Sequence, residues 1–267
     1  MTAVFIFLVY NKTARNVSTN VDLTVLLYGL GVVLIMFGGY IINDYYDQKI
    51  DEENRPGNNL FTIPFFKKWG IVSYVVISAL GIGINFQRPF LTVFMAIVAS
   101  SLFFYAKWAK GWPFIGNFIV ALCTAATIYP LATIIGSWSI ISVYMAFAFL
   151  MSMAREMSKD VEDIDGDKKY GLKTAAILLP RNVVKANILT FLFITLLGLS
   201  YLAYHIAFLD DLNLSSTTIY YLLFLMIPIV IRSMNMVIRA NEKEEWHKLS
   251  NWLKMIMLAG VISLAII

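Results

Sequence analysis

VDLTVLLYGLGVVLIMFGGYII, residues 21–42, runs directly into NDYYDQKIDEEN, residues 43–54, with no proline or glycine at the junction. As a helix the first piece is about 33 Å long, enough to cross a hydrocarbon core of ~30 Å. The second piece is acidic and offers no reason for the helix to stop. On a continuing helix Asp44, Asp47 and Asp51 are spaced i, i+3, i+7 and share one face, and Asn43 is the i, i+4 neighbour of Asp47.

The rest of the chain repeats the pattern of apolar runs and charged junctions. Of 267 residues, 59% are hydrophobic and 14% charged, against about 45–50% and about 25% for a soluble domain, and the mean hydropathy is +0.72. These values describe an integral membrane protein and exclude a water-soluble enzyme. The spans read as Val21 to Ile42, Gly70 to Phe86, Phe90 to Ala106, Pro113 to Ile135, Ile140 to Ala154, Ala186 to Phe208, Thr217 to Ile231 and Trp252 to Ile267. Ahead of them Ala3 to Tyr10 supplies only about 12 Å of helix and reads as a truncated first helix. It lacks the basic flank and small-residue cleavage site of a signal peptide. The expected fold is therefore all-α, a polytopic bundle of eight full spans plus that truncated helix. Pro130 and Pro228 fall inside spans, and Gly38-Gly39 offers a close helix contact. Cys123 is the lone cysteine and His205 and His247 the only histidines, so no internal disulfide or zinc cluster is expected. No P-loop, dinucleotide fingerprint or nucleophile elbow occurs, and no nucleic-acid or obligatory protein partner is implied.

Charge gives the orientation. Alternating spans put segments 43–69, 107–112, 155–185 and 232–250 on one side, and these hold seventeen of the 21 Lys and Arg. The other side has Lys12, Arg15 and Arg88, with Lys254 at the start of the last span. The basic side is expected to be cytoplasmic.

A second acidic stretch, AREMSKDVEDIDGDKKYGLKT at 154–174, repeats the spacing of the first with Asp160, Asp163 and Asp167. Four spans intervene, an even number, so both acidic faces emerge on the same side. Aligned carboxylates repel one another, and a divalent cation reverses that penalty. Mg²⁺ takes hard oxygen ligands, usually one or two carboxylates with substrate phosphates. Two separated Asp clusters suit a metal-bridged diphosphate.

Asn43-Asp44-Tyr45-Tyr46-Asp47-Gln48-Lys49-Ile50-Asp51 resembles the NDxxDxxxD motif of the UbiA-type intramembrane prenyltransferases, and Asp160 to Asp167 resembles their DxxDxxxD motif. Arg55-Pro56, Arg155-Glu156, Gly171-Leu172-Lys173-Thr174 and the stretch of Tyr105, Lys107, Lys110 and Gly116-Asn117 are similar to the family as well. The resemblance implies one transmembrane prenyltransferase domain over residues 1–267, with nine helices around a cavity and cytoplasmic motif loops at 43–69 and 155–185. It implies Mg²⁺ held by Asp44, Asp47, Asp51, Asp160, Asp163 and Asp167, with Asp44, Asp47 and Asp163 as the catalytic carboxylates. Asn43, Arg55, Tyr105, Lys107, Lys159 and Lys173 become the candidate substrate contacts. The partners implied are a prenyl diphosphate donor, a lipophilic acceptor and membrane lipid.

Departure of diphosphate leaves an allylic cation. Metal and bases stabilise the leaving group, and the rings of Tyr45, Tyr46, Tyr105 and Tyr129 are candidates for cation–π attraction worth ~2 kcal/mol when desolvated. The Arg155-Glu156 flank resembles the branch that alkylates geranylgeranylglyceryl phosphate for ether lipids, with prenylation of an aromatic quinone precursor as the alternative. The chain departs from many relatives at Pro56 to Phe61, where theirs is more basic. The short first helix leads us to expect an upstream start. A divalent-cation transporter also uses acidic clusters, but its carboxylates belong near the bilayer midplane rather than at helix exits. The DGxxAR signature of a CDP-alcohol transferase is absent, since Asp165-Gly166 is followed by Asp167-Lys168-Lys169.

Overall fold

A computed structural model of the chain describes residues 19–54, 64–135, 138–208 and 216–263. Among these residues every regular element is helical and no strand occurs. Five helices are long and apolar enough to cross a membrane, Leu23–Asn54, Pro89–Ala109, Ile115–Ile134, Arg181–Phe208 and Thr217–Arg239, with a shorter apolar helix at Lys68–Gly83. The expected helix at Ala3 to Tyr10 lies outside the described residues, as does Arg55.

Helix α1 (Thr19–Asn54) is a single rod of 36 residues. The first acidic motif therefore rides on the membrane helix itself and not in a loop over 43–69, because nothing between Ile42 and Asn54 breaks helical hydrogen bonding. Helix α2 (Pro64–Gly83) packs along α1. A Cβ on Gly31 would stand 2.7 Å from the Gly81 carbonyl oxygen, and one on Gly81 would stand 2.9 Å from that of Gly31. The two backbones touch there, as membrane helices do when small residues replace the hydrophobic drive that lipid cannot supply. Gly38 and Gly39 pack against Ser78 and Leu102.

Helix α3 (Pro89–Phe104) continues as a π-helical turn at Tyr105–Ala109. The expected span Pro113 to Ile135 is present as the apolar length Ile115–Ile134, with a turn inside it that divides α4 (Ile115–Ala126) from α5 (Tyr129–Ile135). Pro130 lacks the N–H that would continue the ladder, and the Tyr28 hydroxyl donates to the Thr127 carbonyl at 2.8 Å, which satisfies a group freed at the break. Helix α6 (Trp138–Glu162) is longer at its C-terminus than the span Ile140 to Ala154 and carries Asp160 beyond its apolar part. Short α7 (Ile164–Lys169) and α8 (Ala175–Leu178) lead into α9 (Arg181–Phe208). Then α10 (Ser216–Tyr221) passes through a π turn at Leu222–Met226 into α11 (Ile227–Arg239), which has Pro228 in its first turn. Last is α12 (Lys243–Ile262), started by a capping box between Glu242 and Glu245.

Helix α6 is the shared wall. On one side it packs against α9 and α12 in a core that includes Met151, Met157, Leu192 and Trp246; on the other it packs against α4 and α5, beside a second core that includes Tyr28, Met95 and Leu131. Leu30, Phe37, Val75, Ile97 and Phe224 point outward, as lipid-facing side chains of a bundle should.

Candidate active site

The acidic ends of α1 and α6 meet α7 and the turn after α3 at one end of the bundle. Asp47 is 3% exposed. Asn43 Nδ2 donates to its Oδ2 at 2.7 Å, and Lys110 Nζ forms an ion pair with the same oxygen. Across the site, Asn117 Nδ2 at the start of α4 donates to Asp160 Oδ2 at 2.9 Å. Lys110 also feels the charges of Asp167 and Asp51. Burial alone would lower its pKa, but these three carboxylates more than offset that and raise it, so it stays an ammonium between the two motifs.

The π turn explains why Lys110 occupies this place. The Lys110 N–H donates to the Tyr105 carbonyl at 2.9 Å, an i to i+5 link that aligns Tyr105 with Lys110. Tyr105 lies within electrostatic reach of Glu156, Asp47, Asp160 and Asp167. Lys107 points elsewhere: it is exposed and lies over the rings of Trp108 at 4.4 Å and Phe103 at 5.7 Å. The connection from the π turn to α4 passes through Phe114, whose φ of 62° is strained for a bulky residue.

The second motif is not one continuous helix. Helix α6 ends at Glu162, Asp163 has φ −94° and ψ 7°, and α7 begins at Ile164. The Asp163 N–H still donates to Lys159 O at 2.9 Å and the Asp167 N–H to Asp163 O at 3.1 Å. Asp163 and Asp167 therefore stay one turn apart, while Asp160 belongs to the preceding helix. Asp167 is 2% exposed and its Oδ1 has no hydrogen-bond partner. Asp165 is exposed.

Three links tie this motif to its surroundings. Asn54, the last residue of α1, donates from Nδ2 to Asp163 O at 3.2 Å and accepts at Oδ1 from the Gly166 N–H at 3.0 Å. His247 Nδ1 is 2.7 Å from Glu162 Oε1. The Lys173 N–H donates to Gly111 O at 3.1 Å, although its side chain faces solvent. Lys159 acts electrostatically on both Asp160 and Asp167. Of the tyrosines, Tyr45 and Tyr46 pack edge to face at 5.3 Å, with Tyr46 against Phe103 at 6.2 Å. Tyr129 belongs to a separate cluster with Phe90, Phe94 and Trp138. That cluster sits by the start of α3, a helix length away from Tyr105, so Tyr129 does not join the site.

Among the described residues no three His, Cys, Asp or Glu side chains converge closely enough to hold a metal ion together. The donor chemistry fits a divalent cation held by few carboxylates per ion. Burial, with the Asp167 and Glu156 charges, pushes Asp160 up to about 8 despite its Asn117 hydrogen bond. Burial also pushes Asp167 up to about 6, helped by Asp163 and Asp47 and opposed by Lys110 and Lys159. Enclosed carboxylates that resist ionisation, one with an unpartnered oxygen, are groups a cation satisfies.

Residues 2–258 match the model of the UbiA prenyltransferase family. The digeranylgeranylglyceryl phosphate synthase of Thermococcus kodakarensis is 39% identical over 159 residues, 59% of this chain and 57% of that protein. The match thus spans little more than half the length of that relative. The synthase of the same name from Saccharolobus solfataricus is 32% identical over 246 residues, 90% of this chain and 83% of that protein. Among solved structures, that of a digeranylgeranylglyceryl phosphate synthase superposes with a TM-score of 0.71 at 22% identity, covering 98% of this chain and 91% of that one. A UbiA homologue from Archaeoglobus fulgidus bound to DMAPP and Mg²⁺ gives 0.65 at 16% identity, covering 100% and 97%. With the family model matching residues 2–258 and two acidic motifs meeting at one end of a helical bundle, the chain belongs to the UbiA prenyltransferase family.

Proposed function

We propose that this protein transfers a polyprenyl group from a prenyl diphosphate to geranylgeranylglyceryl phosphate, an ether-lipid precursor, with Mg²⁺ as cofactor. The observation that carries the reading is the convergence of both acidic motifs on Lys110. The names of the curated relatives support the acceptor, and the prenyl diphosphates and Mg²⁺ bound by the Archaeoglobus fulgidus homologue support donor and metal.

In this reading Asp44, Asp47 and Asp51 hold metal from α1, and Asp160, Asp163 and Asp167 hold it from α6 and α7. Mg²⁺, when bound, neutralises charge that develops on the departing diphosphate. Asn43 and Asn117 orient Asp47 and Asp160 by the hydrogen bonds already described. Lys110, held charged by its neighbours, binds a phosphate oxygen, and Lys159 adds positive charge within electrostatic reach of the same Asp167. The C–O bond to diphosphate breaks with its electron pair on the leaving oxygen, and the allylic carbon is then taken by the acceptor hydroxyl, which gives up its proton. Tyr45, Tyr46 and Tyr105 supply ring faces for the cation. Lys107 is a positive-inside residue in this account, not a phosphate ligand.

The test is a mass-spectrometric product assay with a panel of prenyl diphosphates and two acceptors, geranylgeranylglyceryl phosphate and an aromatic quinone precursor. The expected product is the doubly alkylated glyceryl phosphate. Prenylation of the aromatic acceptor alone would move the chain to the quinone branch, and metal flux without any prenyl transfer would make it a transporter.

The reading also places eight spans in the membrane and both motifs on the cytoplasmic side, from the distribution of Lys and Arg. Lys168 is exposed. In a Cys123→Ala background, Lys168→Cys should resist an impermeant thiol reagent in intact cells and react after permeabilisation. Labelling in intact cells would overturn the orientation.

A further inference from the structure

We propose that Asn54 is a positioning residue that sets the distance between the two acidic motifs, and that Gly166 is the seat shaped to receive it. The role rests on the function proposed above. Asn54 ends α1 one turn past Asp51, so the rigid helix fixes its place relative to Asp47 and Asp51. Its side chain is spent entirely on the second motif: Nδ2 donates to the Asp163 carbonyl and Oδ1 accepts from the Gly166 N–H. Both partners are backbone groups of the first turn of α7, the turn that opens where α6 and α7 part at Asp163, so the two bonds tie that turn to the end of α1. Asn54 is 9% exposed, and its own carbonyl accepts from Lys243 Nζ of α12 at 3.4 Å.

Gly166 is required for space. A Cβ there would stand 2.5 Å from Asn54 Nδ2 and 2.6 Å from its Cγ and Oδ1. Any larger residue expels the amide and lets the second motif shift against the first. Preorganisation of both motifs lowers the cost of ordering them around a ligand.

The experiment uses the full chain in nanodiscs with Mg²⁺ and a prenyl diphosphate, plus backbone hydrogen exchange without substrate. Asn54→Ala should raise the Mg²⁺ concentration for half-maximal rate by about tenfold, lower kcat/KM for the diphosphate by about 10²-fold, and speed exchange at residues 163–167. Gly166→Ala should reproduce these defects. The double variant should be no worse than Asn54→Ala, since the atoms that a new Cβ would strike are gone. Asn54→Asp keeps the bond from Gly166 and loses the one to Asp163, so it should fall between; it also carries the test if Asn54→Ala does not fold. Lys169→Ala, which removes an exposed ion pair with Glu53 between the same two elements, should leave kcat/KM unchanged. Unchanged exchange and Mg²⁺ dependence in Asn54→Ala, or additive losses in the double variant, would overturn the proposal. Absence of prenyl transfer in the wild type would sink the functional reading instead, and the exchange data would still decide the clamp.

Discussion

Asp47→Asn lowers kcat/KM for prenyl transfer by at least ~10²-fold, about 3 kcal/mol of transition-state stabilisation. The replacement keeps the shape and removes the charge. That charge anchors Lys110, orients against Asn43, and in the proposed function holds metal. Its loss also leaves a half-buried ammonium without its nearest counter-ion, a change that costs more than the pair itself contributes. Asp163→Asn, on the opposite motif, should lose a similar factor, and the two together should lose less than the product because the groups act as a unit. Asp165→Asn, exposed and outside the cluster, should stay within about twofold. Steady-state kinetics on purified protein check this, and undiminished turnover by Asp47→Asn would refute the assignment.

Chelation of divalent cations should abolish turnover altogether, with recovery on adding Mg²⁺. A second consequence concerns the metal-free protein. Asp160 is pushed up to about 8 and Asp167 to about 6, both above the usual carboxylate range of about 4. Between these limits the folded state binds more protons than the unfolded state, so stability falls as pH rises through the window. Metal-free protein should therefore melt at a higher temperature at pH 5 than at pH 8. Mg²⁺ should narrow that gap by taking the place of the protons, as should Asp160→Asn by removing one of the groups. A melting temperature that rises with pH would overturn the raised proton affinity of these two carboxylates, and transfer that persists in chelator would exclude their cation-binding role.

Much of the fold was legible in the sequence because membrane helices need only length and apolarity, and each apolar run that the structure describes is helical. The acidic faces were legible too, since helical periodicity carries through Ile42 without interruption and brings Asn43 onto Asp47. Departures came where backbone geometry leaves the α-helix. The π turn at Tyr105–Ala109 exchanged Lys107 for Lys110, because a wider turn changes which side chain faces the site and no residue type announces it. The break at Asp163 puts Asp160 on one helix and Asp167 on the next, still within electrostatic reach of each other. Asn54 and Gly166 are far apart in sequence, and neither a terminal Asn nor a Gly in an acidic loop signals a long-range hydrogen bond. Tyr129 was misplaced for a different reason: aromatic content marks both ends of a membrane helix equally, and only packing tells them apart.

The continuity of α1 makes the site a depth gauge. At 36 residues the helix is about 54 Å long, well beyond a core of ~30 Å, and its apolar length begins at Leu23. Any change in bilayer thickness is met by tilt or local deformation, at a cost of fractions of a kcal/mol per Å. Asp47 and Asp51 must follow that tilt because they are part of the same rod, and through Asn54 they draw the second motif with them. In the membrane placement proposed above, the height of the carboxylates follows the tilt of this rod, and lipids of different chain length should retune how easily a membrane-bound donor reaches them.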